Sequence, residues 1–411
     1  MTVQSLWLDF FLAFRNVVRQ KRRSAVAVGA VAFGIAALII ASGFIEWIFV
    51  AFREDTIQSQ LGHLQIARPG YQEGGKADPY AYLLPDAVPE LESQNEPRQI
   101  KAVAPRLSFS GLVSHGDATL SFIGDGVSPR EEAQFAQGVQ ISVGQNLSAG
   151  EPNAIIMGAG LARNLGVKVG DKVVLLANTA KGATNAVEVT IRGLFTTVAK
   201  AYDDAALRVP IETARQLLRT KGSHVWVVLI NESSNTDGVL AKVRGRLPQE
   251  KFEVVPWYKL ADTYNKTTAL FNKQVQGIRL IIALIILLSI WNTMTMSVME
   301  RTSEIGTTMA LGSESKGILR LFVSEGMLLG FFGGIAGLLI GVALAAVISA
   351  IGIPMPPPPG VTHGYTISIY VTWTDALQSF VIAVVTTLIA SVYPAWVASR
   401  KQIVDALRHS R

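Results

Sequence analysis

Residues 318–351 read ILRLFVSEGMLLGFFGGIAGLLIGVALAAVISAI, a run of 34 positions whose only charges, Arg320 and Glu325, lie near its start. A hydrocarbon core of roughly 30 Å needs about 20 helical residues, so this stretch crosses a bilayer as one helix. Residues 24–50, 278–298 and 373–397 pass the same test. The composition agrees: 49% of residues are hydrophobic and 17% charged, against about 25% charged in soluble domains. The expected fold class is an α-helical membrane protein with four transmembrane helices plus a large α+β extracytoplasmic domain inserted between the first and second.

The formal net charge of +6 is concentrated at the two ends. Arg15, Arg19, Lys21, Arg22 and Arg23 precede the first span against Asp9, and Arg400, Lys401, Arg408 and Arg411 follow the last against Asp405. Basic clusters flanking apolar runs obey the positive-inside rule, and the nearly neutral remainder argues against a nucleic-acid partner. Both termini are therefore expected in the cytoplasm. A signal peptide is the alternative for the first span, but its long n-region and long apolar run favour a retained helix. There is no cysteine, which excludes disulfides, thiolate catalysis and Cys-based metal sites.

The resulting segmentation has an amphipathic cytoplasmic helix at 1–23, carrying Leu6, Phe10, Phe14 and Val17 on one face. The first span and a stalk follow at 24–52, the extracytoplasmic domain at 53–258, and a stalk with the second span at 259–299. A cytoplasmic coupling loop occupies 300–317, the third span 318–351, an outer Pro-rich loop 352–372, the fourth span 373–398 and a cytoplasmic tail 399–411. The inserted domain opens with a strand, a helix candidate around 87–94 and a second strand, and it closes with strand, helix, strand (HVWVVLI, TDGVLAKVRGRL, FEVVPW). Two split βαβ halves form one ferredoxin-like lobe, which leaves residues 124–218 or so as a second, inserted lobe.

In the third span Gly326, Gly330 and Gly334 recur every four residues, and Gly333, Gly337 and Gly341 do so on an adjoining line. Small residues at that spacing let membrane helices approach closely, so helix packing is their expected role. Catalytic motifs are missing. GYQEGGKA at 70–77 matches a phosphate loop except that Ala77 stands where a magnesium-binding Ser or Thr belongs, and it reads as a flexible loop. His63, His115, His224, His363 and His409 are scattered without metal-ligand spacing, and there is no G-x-S-x-G elbow. PMPPPPG at 354–360 is expected to be a stiff extended segment. Glu325 invites a functional guess, and an interhelical hydrogen bond is enough to explain it.

Between the second and third spans lies MERTSEIGTTMALG, residues 299–312. Helix–helix links commonly use about 2–8 residues, and this loop is longer and acidic, with Glu300, Glu304 and Glu314 outweighing Arg301 and Lys316. It has room for a short helix, with Met309 and Leu311 available to dock and Glu300, Arg301 and Glu304 to pair.

The chain resembles the FtsX-like permeases of ABC transporters, in particular the MacB and LolC/LolE group, a type VII class acting by mechanotransmission. The resemblance rests on RNVVRQKRRSAVAV, IIMGAGLARNLGVKVGDKVVLL, IRGLFTTVAKAYDDAALRVP, MERTSEIGTTMALGSESKGILRLFVSEG and YPAWVASRKQIVDALR, in that order. It implies a MacB-type periplasmic core domain and a non-catalytic permease subunit in a cell inner membrane. The implied partners are a dimer of ATPase subunits, a second permease copy, identical or not, and a periplasmic carrier or adaptor; membrane lipids surround the spans. ATP and magnesium would bind in the partner ATPase, with no cofactor or metal in this chain. The resemblance carries the ATPase-coupling role onto Glu300, Arg301, Glu304, Ile305, Gly306, Ala310, Leu311 and Gly312, and Met309, a docking candidate from the loop itself, is assigned to coupling with them. Lipoprotein or lipid extraction is the leading expectation for cargo. The alternatives are efflux of small toxic compounds or peptides with an adaptor, and transmembrane signalling to an envelope hydrolase.

Overall fold

A computed structural model describes residues 3–75, 77–85, 99–135, 139–197, 200–355 and 365–400. The helix candidate at 87–94, residues 356–364 of the Pro-rich loop and the tail after Arg400 lie outside the described residues. The chain divides into two compact units. One comprises Met1–Phe49, Thr268–Pro354 and Thr366–Arg411, and the other Val50–Thr267 and Met355–Tyr365.

The first unit is helical. Helix α1 (Val3–Arg19) breaks at Gln20 before α2 (Lys21–Thr56). The other long helices, named here by their bounds, are Asp262–Glu300, Ser315–Ile351 and Trp373–Ser399. Among the described residues these three and α2 are the helices long and apolar enough to cross a membrane. The 39 residues of Asp262–Glu300 make about 58 Å of helix, twice a hydrocarbon core. That helix starts at Asp262 because Ala261, at φ −86° and ψ 60°, leaves the helical region.

The two glycine lines of the third span serve two different neighbours. A Cβ at Gly334 would lie 2.9 Å from the Phe380 ring, and Gly326 and Gly330 likewise press on Ser391 and Thr387 of the fourth span. Gly333, Gly337 and Gly341 face α2, where a Cβ at Gly337 would sit 2.6 Å from the Ala32 carbonyl oxygen. The third span is thus wedged between the first and the fourth by bare backbone on two faces. At the other end of the unit Arg279 ties the second span to the fourth, donating to Asp375 at 3.1 Å and to Gln378 at 2.8 Å.

The second unit is built on one sheet of ten described strands. The strands are β1 (Leu64–Ala67), β2 (Ile100–His115), β3 (Ala118–Val127), β4 (Gln140–Gly144), β5 (Ala154–Gly158), β6 (Lys172–Asn178), β7 (Thr184–Thr196), β8 (Ala206–Pro210), β9 (Val225–Ile230) and β10 (Glu253–Pro256). The order β10-β1-β9-β2 is that of a ferredoxin-like split βαβ pair. Its central strand, VWVVLI, is wholly buried because both of its faces are covered. Trp226, Val228 and Ile230 pack with Val239 and Val243 of the helix Thr236–Arg246, and Val225, Val227 and Leu229 pack with Ile57 and Trp257.

The inserted lobe departs from expectation in where it starts. It begins inside β2 rather than near residue 124, since the second half of β2 pairs with β3 through all of Arg106–His115. The pairings then run β3 to β8, β8 to β5, β5 to β7, β7 to β6, and β6 back to β2. This closed six-stranded ring leaves no free edges among its members. Closure requires β6 to approach β2 where β2 has no side chain: a Cβ at Gly111 would strike the Leu176 carbonyl. Leu107, Phe109, Val113, Phe122, Ile155 and Leu175 fill the interior.

Two buried histidines are held neutral in this unit. The Ile230 N–H donates to His63 Nδ1 at 3.2 Å, so Nε2 carries the proton and donates to Ser233 Oγ at 2.9 Å. Burial lowers the His63 pKa to about 4, with Arg53 adding and Glu54 opposing. Burial likewise lowers His224, stacked on Tyr71, to about 4 against the opposing Ser108 backbone and Asp125. Because the folded values lie below the ordinary 6.5, the unfolded chain takes up protons first as pH falls. Stability of this unit should therefore drop between pH 6.5 and about 4. The unfolding midpoint followed by intrinsic fluorescence should show that slope, flattened in His63→Gln and His224→Gln; an equal slope in the variants would contradict it.

Candidate functional site

The stretch 299–312 sits at one end of the helical unit. The helix Asp262–Glu300 stops at Arg301, whose φ of −99° and ψ of 16° fall outside the helix, and a short helix, Thr302–Ala310, follows. That helix ends at a left-handed glycine, Gly312 at φ +98°. Ser313 N–H donates to Thr308 O at 3.2 Å and Gly312 N–H to Met309 O at 3.0 Å, the two bonds of a Schellman cap. The next helix begins at Ser315, three residues before the expected start of the third span.

Of the charges in this stretch, Arg301 turns inward, and Glu300 and Glu304 stay exposed while pairing with arginines of the N-terminal helices. Glu325, 5% exposed, accepts from Asn16 Nδ2 and from Arg301 Nη1, both at 2.8 Å. Arg301 also donates through Nε to Glu304 at 3.2 Å and lies 5.4 Å above the Phe322 ring. Arg19 reaches Glu304 at 3.3 Å. Arg23 grips both oxygens of Glu300, at 2.6 and 3.0 Å. One network, through Glu325, joins α1, the junction after the second span, the short helix and the start of the third span, and the separate Arg23–Glu300 pair ties the start of α2 to the end of the second span. The Phe14 and Phe332 rings, 6.0 Å apart, reinforce the seam between α1 and the third span.

Of the nine residues assigned to coupling, Ile305 and Gly306 are buried, Arg301 is largely turned in, and Met309 packs on the membrane-unit core. They hold the short helix in place, with Met309 half-buried. Glu300, Glu304, Ala310, Leu311 and Gly312 are exposed, and Leu311 is 84% exposed. Sequence reasoning missed Asn16, Arg19 and Arg23 as members, having read the basic cluster for topology alone. The signal was present in charge: a basic N-terminal segment and an acidic loop expected on the same side of the membrane.

The site contains paired charges and an exposed ridge, with no nucleophile poised against a base among its described residues. It is suited to bearing load. The chain thus combines four helices long and apolar enough to cross a membrane, a domain inserted after the first, and a braced short helix between the second and third. Residues 24–246 match the MacB-like periplasmic core domain, and residues 278–403 match the FtsX-like permease C-terminal domain. The chain belongs to the FtsX-like ABC transporter permeases of the MacB and LolC group. LolC of Neisseria meningitidis serogroup B, a lipoprotein-releasing system transmembrane protein, is 24% identical over 98% of this chain and 99% of its own. An uncharacterized ABC transporter permease of Methanocaldococcus jannaschii is 27% identical over 68% of each chain. The macrolide export ATP-binding/permease protein MacB of Hyphomonas neptunium is 25% identical over 96% of this chain and 60% of its own.

Removing one partner of a buried ion pair strands the other charge and costs about 3–5 kcal/mol. Glu325→Ala leaves Arg301 only its exposed partner Glu304, and should lower the stability of the purified protein by up to about that amount. Glu304→Lys, at an exposed position, should change it by less than about 1 kcal/mol. Thermal unfolding of both variants in the same detergent checks the contrast; equal losses would mean that Glu325 is not the hub.

Proposed function

We propose that this chain is the permease subunit through which a separate ATPase subunit drives the inserted domain, with lipoprotein or lipid as the cargo extracted from an inner membrane. The carrying observation is the foot: an exposed ridge, Ala310 to Gly312 with Glu304, mounted on a short helix that is tied to α1 through Arg19 and to the third span through Arg301 and Glu325. A partner pushing on Leu311 would displace the short helix and, through Arg301 and Glu325, the third span and α1 with it. The force would not be lost in a loose loop, because Gly312 closes the helix and Ile305 anchors it.

The basic residues around Arg19 and Arg23 support cytoplasmic termini, and the ridge then faces the compartment that holds ATP. A second permease copy and a periplasmic carrier complete the proposed assembly. Alignment with LolC along nearly the whole of both chains supports lipoprotein or lipid over other cargo. Small-compound efflux is the second reading, favoured by the alignment of 96% of this chain with a macrolide exporter.

Leu311→Asp places a charge at the exposed apolar tip without touching the buried members. Co-purification of the ATP-binding subunit should be lost while the permease remains folded. Retention of the subunit by this variant and by Glu304→Lys would remove the docking role. Deletion of the gene separates the cargo readings: lipoproteins retained in the inner membrane support extraction, and macrolide sensitivity alone supports efflux.

A further inference from the structure

The far end of α2 meets the inserted domain in an unusual way. After Thr56 the helix widens into a π-helical turn, Ile57–Leu61, closed by the Gly62 N–H donating to the Ile57 carbonyl at 2.7 Å. A helix ends with carbonyls that lack intrahelical donors and with a partial negative charge. Here those carbonyls are met by two buried arginines from the barrel-like lobe. Arg208 of β8 donates through Nη2 to Ser59 O at 2.6 Å, and Arg106 of β2 donates through Nη1 to Gln60 O. Their relative exposures are 3% and 4%. Both also pair with one carboxylate, Glu132, at 2.9 and 2.6 Å, and Arg106 covers the Phe135 ring at 5.3 Å.

The charge balance shows what this arrangement favours. Two guanidiniums share Glu132 as their bonded carboxylate, with Asp125 a second negative charge near Arg208, and each still directs an N–H at the negative end of a helix. On its other side the same helix end is tied to the ferredoxin-like lobe, because Ser233 Oγ, accepting from His63, donates to Glu54 at 2.9 Å. The last two turns of α2 are therefore held between the two lobes by separate polar attachments.

We infer that Arg106 and Arg208 are positioning residues that fix the outer end of α2 to the barrel-like lobe, making the Ser59 and Gln60 carbonyls the point at which this lobe follows the first spanning helix. Under the transport reading this is where movement of the span is delivered to the lobe, and the inference rests on that reading for its use in transport. The attachment itself is testable without any ATPase.

The chain has no cysteine, so label pairs can be introduced directly into the protein in lipid nanodiscs. Spin labels at Ala51→Cys and Lys181→Cys report α2 against the barrel-like lobe. Labels at Ala51→Cys and Glu250→Cys report α2 against the other lobe, and labels at Val143→Cys and Lys181→Cys report the barrel-like lobe alone. In Arg106→Gln/Arg208→Gln the first distance distribution should broaden about twofold, as expected for a locally released segment, while the other two keep their widths. The Arg106→Lys/Arg208→Lys protein, which retains the charge, should fall between the two. An unchanged first pair would overturn the inference. So would equal broadening of the third pair, which would make the arginines simple supports of the barrel. If the Gln variant does not fold, the Lys variant against the wild type decides by the same comparison. A normal clamp in a protein that never recruits an ATPase would defeat the transport reading and leave the attachment standing.

Discussion

A carboxylate on the apolar face of a membrane helix is costly unless donors meet it, and Glu325 draws its donors from two other segments of the chain. Asn16 comes from α1 and Arg301 from the junction between the second span and the short helix. Satisfying that one group brings α1 against the third span and pins the junction. Arg301, once held there, can reach Glu304, which Arg19 meets from the other side. The exposed ridge is exposed because the opposite face of its helix is committed to this arrangement. Helix packing in a membrane lacks a large hydrophobic drive between helices, so a shared polar partner has more say there than it would in water.

The four spans were legible because length and composition alone decide them, and the structure moves their ends by a few residues. The ferredoxin-like lobe was legible too, since its halves repeat an order and β9 shows the continuous apolar run of a strand covered on both faces. The closure of the other lobe was not legible. β6 meets β2 across more than fifty residues of sequence at a three-residue register, Leu112–Ser114 against Val174–Leu176, and the enabling feature is the missing side chain of Gly111. Nothing local distinguishes that glycine from one in a loop.

At the foot, the segment was found from its length and its acidity, but residue type did not tell which charges face out. Glu304 and Arg301 are three apart and look equivalent on paper. Burial of Glu325 separates them, because only Arg301 stands at the junction where it can reach inward. The two glycine lines of the third span were visible as a spacing, and the assignment of one line to α2 and the other to the fourth span needed coordinates. The arginines that hold the end of α2 gave no signal in the sequence, since Arg106 and Arg208 sit singly in strands 102 positions apart and are joined by Glu132, which belongs to neither strand.

The long strand β2 has a consequence for how this domain can change through evolution. Its first half supplies Ala104 to the core beneath the end of α2, and its second half, which begins at Arg106, supplies Leu107, Phe109 and Val113 to the barrel interior. Side chains alternate faces along a strand, so the two halves share a single phase. Losing or gaining one residue between them would turn the inward set of one lobe outward while the other stayed in place. Length changes in this stretch are therefore confined to even numbers or to the hairpin at Gly116, and the spacing between Arg106 and Phe109 should drift far less among relatives than the residues that fill it.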